Sequence, residues 1–461
     1  MKLASKLHHL LFALILVSGL ALHAQIVGGS ISGTVREATG ASLGGASVTV
    51  VQTETGATRK LVTGSDGRFF APSVPVGRYS VSVAHDGFAT QERSGFSLTV
   101  GQSLQVDFVL GVAAVQQQVE VDGTGDTVNT TTQQTAGLID ERQVKELPLN
   151  GRSYDELLTL NPATVNYTGE RSGSIGTSNS SVGNMFAVSG RRPQDNLFLL
   201  NGIEYTGASL INVTPGGTSG ELLGVDAVRE FNVATDTYGA SYGKRDGAQV
   251  SIVTTSGTNQ LHGTAFEFIR NSALDARNYF DAGSIPEFQR NQFGGSLGGP
   301  IRQNKLFLFG NYEGFRQNWG LSAVTLVPDD QARQGYLPNS AGTEQYVGVN
   351  SAVQPLLALW PVANGPELGS GIAEAFSHPK QIIREDFGTT RFDENLSTKD
   401  LLFGVYTVDD SAANTPSQNP LSLVDESLRE QVASVQEQHV FSPSLLDTHS
   451  FVLIFANQAQ G

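Results

Sequence analysis

A chain of 461 residues with 39% hydrophobic and 16% charged residues is too apolar and too weakly charged to stay disordered. Its net charge of −15, with lysines and arginines scattered, excludes the clustered cations that a nucleic-acid backbone requires. The absence of cysteine removes disulfides, thiolate metal sites and cysteine nucleophiles together, and 52 glycines suit a turn-rich β protein.

Lys2 and Lys6 precede an apolar run over residues 10–22, and Ala24 follows it. This is the pattern of a secretory signal peptide over residues 1–24, too short to cross a bilayer as a helix. No later stretch reaches the ~18 apolar residues of a membrane helix, so any membrane entry has to use β-strands. Residues 28–110 follow as short alternating strands between turn signals, the spacing of a β-sandwich. Tyr79, Val81 and Val83 share one face, Ser80 and Ser82 the other. Residues 64–88, GSDGRFFAPSVPVGRYSVSVAHDGF, resemble the carboxypeptidase regulatory-like domain, an Ig-like or transthyretin-like sandwich. The histidines are dispersed and no H-E-x-x-H cluster is present, so no metal site is expected and the module reads as accessory.

Residues 111–137 are polar and read as a linker. Within it Gln117, Gln118, Val119, Glu120 and Val121 alternate; such a segment could add to the edge of a partner's sheet or be a plain tether. Two short helices are expected between residues 139 and 160, broken at Pro148 and Gly151, then a Gly/Ser-rich loop over 167–183 and compact strands with an Asn201-Gly202 turn. The stretches LPLNGRSYDELLTLNPA, SGRRPQDNLFLLNGIEY and EFNVATDTYGASYGKRDGAQVSIVTTSGTN resemble the plug domain of TonB-dependent outer-membrane receptors, in the Oar-like branch. The resemblance implies a small α/β plug over residues 138–257 and a TonB box at residues 117–121. It also implies plug-motif roles for Asn150, Gly151, Arg152, Arg191, Arg192, Asn201 and Gly202, with Asn201 standing where the family commonly has Asp.

Beyond residue 257 seven strands are expected, at roughly 261–270, 291–299, 306–316, 384–394, 401–410, 429–440 and 446–456. Their connections alternate long and short, as in an outer-membrane barrel, whereas a second soluble β domain would show no such rule. Seven is odd and family members carry about 22 strands, so residues 258–461 are expected to be the first strands of an incomplete antiparallel barrel. The expected fold is therefore mainly β: sandwich, small α/β plug, then barrel.

G-x-S-x-G, the nucleophile elbow of serine hydrolases, occurs at Ser42, Ser241 and Ser296. Each lacks the strand-to-helix context, although His378, Asp409, His439 and His449 supply triad residue types downstream. Ser296 is expected to face the lumen beside glycines that make room for the plug. The pairs Asp329-Asp330 and Asp409-Asp410 read as solvated charges, with external cation sites as the alternative. No enzymatic activity or cofactor is expected. The resemblance implies an outer-membrane transporter with a TonB-type energy-transducing inner-membrane complex, outer-membrane lipid, and a small-molecule, glycan or peptide ligand as partners. The competing expectation is a surface adhesion protein that displays its long loops without transport.

Overall fold

The computed structural model describes residues 28–112, 119–122, 135–168, 184–205, 215–239, 242–277, 285–416, 422–442 and 445–460. The expected signal peptide lies outside the described residues, as do Gln117, Gln118 and most of the 167–183 loop.

The first unit comprises β1 (Gly29–Glu37), β2 (Ser47–Gln52), β3 (Thr58–Val62), β4 (Arg68–Val74), β5 (Gly77–Ala84), β6 (Gln91–Leu98), β7 (Ser103–Gln105) and β8 (Phe108–Leu110). One sheet has the order β4-β1-β7, with β8 on the far half of β1; the other has β3-β2-β5-β6. Inward-facing Ile31, Val35, Val48, Val81 and Phe108 fill the space between them. The alternation of "GRYSVSV" is therefore a buried face, as its period requires. Strand β6 does not show in the sequence pattern because a bulge breaks its alternation: the register with β5 shifts between Tyr79 and Val81, where Gly95 takes a φ of 85°. A ninth strand, β9 (Val119–Asp122), lies parallel to β6 and extends this sheet by one.

The central unit mixes short helices and strands. Its sheet has the order β10 (Thr135–Ile139), β15 (Val228–Asp236), β16 (Gln249–Thr254), β13 (Leu197–Leu200) and β14 (Ile203–Glu204), beside a small hairpin of β11 (Thr164–Asn166) and β12 (Phe186–Val188). The helix Glu141–Glu146 starts on a capping box, Asp140 with Gln143. Instead of a second α-helix, 3-10 turns run over Asn150–Arg152 and Tyr154–Leu160. Gly151 and Arg152, both at positive φ, interrupt helical geometry there.

The third unit is a seven-stranded antiparallel meander: β17 (His262–Asn271), β18 (Phe288–Arg302), β19 (Leu306–Gly320), β25 (Lys380–Asn395), β26 (Asp400–Pro416), β27 (Leu423–Ser442) and β28 (Leu445–Gln460). The long β19–β25 connection folds on itself. It holds β20 (Ala323–Pro328), β21 (Tyr336–Pro338), β22 (Glu344–Tyr346), β23 (Glu367–Gly369) and β24 (Ile372–Ser377), arranged as a three-stranded sheet and a hairpin. All seven expected strands form, and most are longer than expected at the long-loop end. The described strands make an open wall rather than a closed barrel.

The two faces of the wall differ. Odd positions of β19, β25 and β26 and even positions of β27 are buried against the central unit. The opposite face exposes Leu297, Leu308, Tyr312, Tyr406, Phe451 and Leu453. Above this apolar belt runs an ionic ladder, Arg316–Asp386 at 2.7 Å, Arg384–Asp410 at 2.6 Å and Arg429–Asp410 at 3.1 Å. Below it stand Asp400, Glu437 and His439. On β26 the two polar borders are about 33 Å of strand apart, which at the usual tilt gives the ~25 Å height of an outer-membrane apolar band.

The sandwich meets the short-turn end of the wall. Arg59 Nη2 donates to Gln438 at 2.9 Å, Gln438 Nε2 donates to the Ser73 carbonyl at 3.0 Å, and Arg229 of the central unit bridges Glu54 at 2.8 Å.

Gly33 on β1 leaves no room for a side chain, since a Cβ there would lie 1.9 Å from the Val106 carbonyl oxygen and 2.8 Å from the Phe69 ring. Gly33→Val is expected to destabilise the sandwich by about 1–3 kcal/mol through overpacking. Denaturation followed by hydrogen exchange over residues 28–110 reads the effect, and unchanged protection would contradict it.

Candidate functional site

The seam between the central unit and the wall carries the densest buried polar chemistry of the described chain. Alternation along β19 and β25 turns Glu313 and Glu385 inward, and both are fully buried. A buried carboxylate needs donors, and these come from the loop that leads into β15, from the 3-10 turn and from β18. Glu313 accepts from the Gly224 amide at 3.0 Å, from Gln292 Nε2 at 2.7 Å and from Arg152 Nε at 3.3 Å. Glu385 accepts from the Ser219 amide at 3.1 Å, and Ser411 Oγ accepts from the Thr218 amide at 2.8 Å.

Arg152 is the central cation. Its second arm reaches Asp226 at 2.8 Å, and its guanidinium lies 3.9 Å from the centroid of the Phe266 ring on β17. One side chain thus joins the 3-10 turn, the loop before β15 and two wall strands. Beside it Leu223 and Ala227 pack with Phe309, Phe315, Ile383, Phe387 and Ala413 of the wall. Gly224, at a φ of 96°, has no room for a Cβ, which would sit 2.3 Å from Phe387.

A second contact forms around Asn201 and Gly202, whose φ values of 49° and 79° make the expected tight turn. Asn201 Nδ2 donates to Thr254 Oγ1 at 3.1 Å, while Arg391 of β25 donates to the Thr254 carbonyl at 3.1 Å. Gln436 of β27 donates to the Asn201 carbonyl at 2.9 Å. The amide therefore serves the turn while the wall supplies the positive charge.

The other sequence candidates are spread out. Gly151 offers its carbonyl to Gln292 Nε2 at 3.0 Å and lies beside Arg152; Asn150 opens the same turn. Arg191 reaches Asp236 at 3.5 Å on the far side of the unit, and exposed Arg192 only borders a turn closed by Asp195. Val119, Glu120 and Val121 belong to β9, paired with Gln91, Glu92 and Arg93. Sequence reasoning missed Glu313, Glu385 and the 215–227 loop. The available signal was an acidic residue at an inward position of an alternating strand.

Ser42 and Ser296 lack the strand-to-helix setting of a nucleophile elbow. Ser296 sits mid-strand in β18, opposite Asn311, with its Oγ 2.8 Å from Thr264 Oγ1. The neighbouring glycines make room for wall residues rather than for the central unit: a Cβ on Gly298 would strike the rings of His262 and Phe309. Ser42 lies in an isolated bridge to Arg36, and Ser241 is outside the described residues. Asp409 and Asp410 point to opposite faces, the first buried and the second in the outer ladder, so they form no shared cation site. Asp329 caps a short helix by accepting from the Ala332 amide at 2.7 Å.

An antiparallel wall with an apolar outer belt and an α/β unit locked to its inner face resembles part of an outer-membrane receptor barrel. Residues 253–460 match the outer membrane beta barrel domain, and residues 30–111 match the carboxypeptidase regulatory-like domain. The chain is homologous to the TonB-dependent transporter Oar of Myxococcus xanthus, 23% identical over 268 residues, which cover 55% of this chain and 23% of that relative. It spans about a quarter of the relative's length. Among solved structures, the outer membrane transporter YddB from Escherichia coli is similar with 12% identity and a TM-score of 0.45, over 70% of this chain and 39% of the other. The siderophore receptor PiuA from Acinetobacter baumannii is similar with 11% identity and a TM-score of 0.37, over 71% and 45%.

Arg152→Ala leaves Asp226 and Glu313 buried without their cation, a change that costs about 3–5 kcal/mol. Faster hydrogen exchange over residues 215–227 is the expected result, and unchanged protection would contradict the lock. A pH dependence follows from Glu221, whose carboxyl is pushed up to about 8 by burial, against the pull of Arg290. Between about 4.5 and 8 the folded state holds a proton that the unfolded chain has released, so stability falls as pH rises through that window. Glu221→Gln is expected to flatten the slope. Glu230, raised to about 7, and Asp155, raised to about 6, both by burial, contribute to a residual slope of the same sign. A denaturation series across that window checks this.

Proposed function

We propose that the protein is an outer-membrane TonB-dependent transporter in which the central α/β unit is the plug and residues 258–461 are barrel wall. The sandwich over residues 28–110 and the linker over 111–137 stand on the periplasmic side, where the short turns are. A TonB-type energy-transducing complex of the inner membrane pulls on the TonB box at residues 117–121, and the plug shifts to let a ligand through. That ligand is a small molecule, glycan or peptide arriving from the long-loop side.

The observation that carries this reading is the seam. Arg152, Glu313, Glu385 and the 215–227 amides hold the unit by directional polar contacts, which water entering a gap can replace one by one. Such a contact suits an element that must move. The adhesion alternative draws on one feature, the folded 321–379 connection with its own sheet.

The two readings part at β9. Its backbone edge is engaged by β6, so it must detach before it can add to a partner's sheet. The chain has no cysteine, so Glu92→Cys with Glu120→Cys, which are register partners, places a single lockable pair. In a pull-down by the periplasmic domain of the host's TonB-type protein, the reduced pair is expected to bind. The oxidised pair and a deletion of residues 117–121 are expected to lose at least tenfold in retention. Binding unaffected by both changes, or absent from the wild type, would leave the adhesion reading standing.

A further inference from the structure

The sandwich-side rim of the wall gathers metal-ligating side chains that serve no role in the seam. On the outward face Asp400 of β26 stands opposite His439 of β27, which stands opposite Asp447 of β28. One step along the strands, Leu402 stands opposite Glu437, which stands opposite His449. Five of these six positions therefore bear an imidazole or a carboxylate. Only five histidines fall among the described residues, and two of them meet in this patch.

The ligand atoms of Asp400, Glu437 and His439 already lie within 4.8 Å of one another. His439 Nδ1 contacts Asp400, so these two ligand atoms are already near enough to close on one ion between them, and the Phe441 ring, 4.3 Å away edge-on, limits the imidazole's motion. His449 pairs with Asp447 at 2.9 Å, and its side chain is 74% exposed, so rotation toward Glu437 meets little resistance. Residues directly opposite in an antiparallel pair have Cβ atoms about 5 Å apart, within the reach of two side chains that share one ion. Asp447, outside the ligand set, gives the His449 imidazole a carboxylate neighbour, the arrangement that orients histidine ligands and raises their basicity.

We propose that Asp400, Glu437, His439 and His449 bind one first-row divalent cation, with Zn²⁺ the best match to a mixed imidazole and carboxylate set. Hard cations such as Mg²⁺ and Ca²⁺ take oxygen ligands and gain nothing from the histidines. The ion ties three consecutive strands on the side where only short turns join them. It staples β28 in particular, which among the described strands pairs on one side only. The site depends on neither the gating nor the ligand of the proposed transporter.

The test uses the full chain, purified in detergent, stripped with chelator and titrated with Zn²⁺ by calorimetry, with Co²⁺ absorption as a second readout. One equivalent of Zn²⁺ is expected to bind, with a tetrahedral-type Co²⁺ spectrum. His439→Ala and His449→Ala are each expected to weaken binding at least tenfold, and His378→Ala, outside the patch, to leave it unchanged. Glu437→Gln keeps the shape and is expected to weaken binding as well, and matching circular dichroism excludes misfolding as the cause. Lack of saturable binding by the wild type, equal binding by the double histidine variant, or full competition by Mg²⁺ would each overturn the site.

Discussion

A carboxylate sealed between two protein layers must find donors in those layers, because water no longer solvates it. Glu313 and Glu385 are in this position, and apart from Gln292 of the wall their donors lie on the opposite layer: the Gly224 and Ser219 amides and the Arg152 guanidinium. The constraint works in both directions. Amides at 218, 219 and 224 belong to a loop without a sheet or helix to satisfy them, so this loop has its observed shape only against the wall. Wall strands, in turn, tolerate inward acids only where the loop covers them. Hydrogen bonds to charged groups contribute about 1.5–3 kcal/mol each, so a handful of them sets the registration of the central unit to within a residue.

The same chemistry separates this seam from the cores on either side. Within the sandwich, Ile31, Val81 and Phe108 meet in an apolar layer that cannot be wetted without losing its whole free energy. At the seam an apolar patch around Phe309, Phe315 and Phe387 is only one part, and buried acids surround it. Neither oxygen of Asp409 finds a protein partner, and neither does the hydroxyl of Tyr205. Polar groups left in this state make the packed seam less favourable than a fully satisfied one, which lowers the cost of separating its two layers.

Much of this was legible in the sequence, and the rest was hidden for identifiable reasons. Seven wall strands were readable because an exposed apolar face and a face packed on protein impose a period of two, and their ends were not because the exposed face turns polar there. The tail "SAANTP" of β26 carries no large apolar residue on the outward face, yet Ser411, Ala413 and Thr415 are still buried. Arg152, Asn201 and Gly202 were found through motifs, which record local shape as well as contact. Glu313 and Glu385 looked like ordinary polar positions, because their significance lies in the docking of a loop 89 and 166 residues away. Asp409 and Asp410 read as one pair until the strand sent them to opposite faces. His439 and His449 looked dispersed until the pairing of β27 with β28 placed their strands side by side.

Under the proposed gating, contacts between the three units set the order in which a pull on residues 117–121 is felt. Strand β9 holds the sandwich by a four-residue parallel ladder, and each of its few hydrogen bonds contributes about 1 kcal/mol net. Behind it the sandwich core is far stronger, and it touches the central unit through Glu54 to Arg229 and through the Val100 amide to Glu230 at 2.6 Å. It touches the wall as well, through Gln438 and through Asn395 Nδ2 to the Thr55 carbonyl at 3.4 Å. Under the proposed gating, β9 therefore yields first and releases slack without disturbing the seam. Load reaches the central unit next through β10, which enters at the edge of its sheet beside β15. Since β15 begins where the Arg152–Asp226 contact and the loop at 215–227 end, force on that edge is delivered directly to the polar lock. The apolar layers remain out of its path, so the polar seam opens while both cores stay folded.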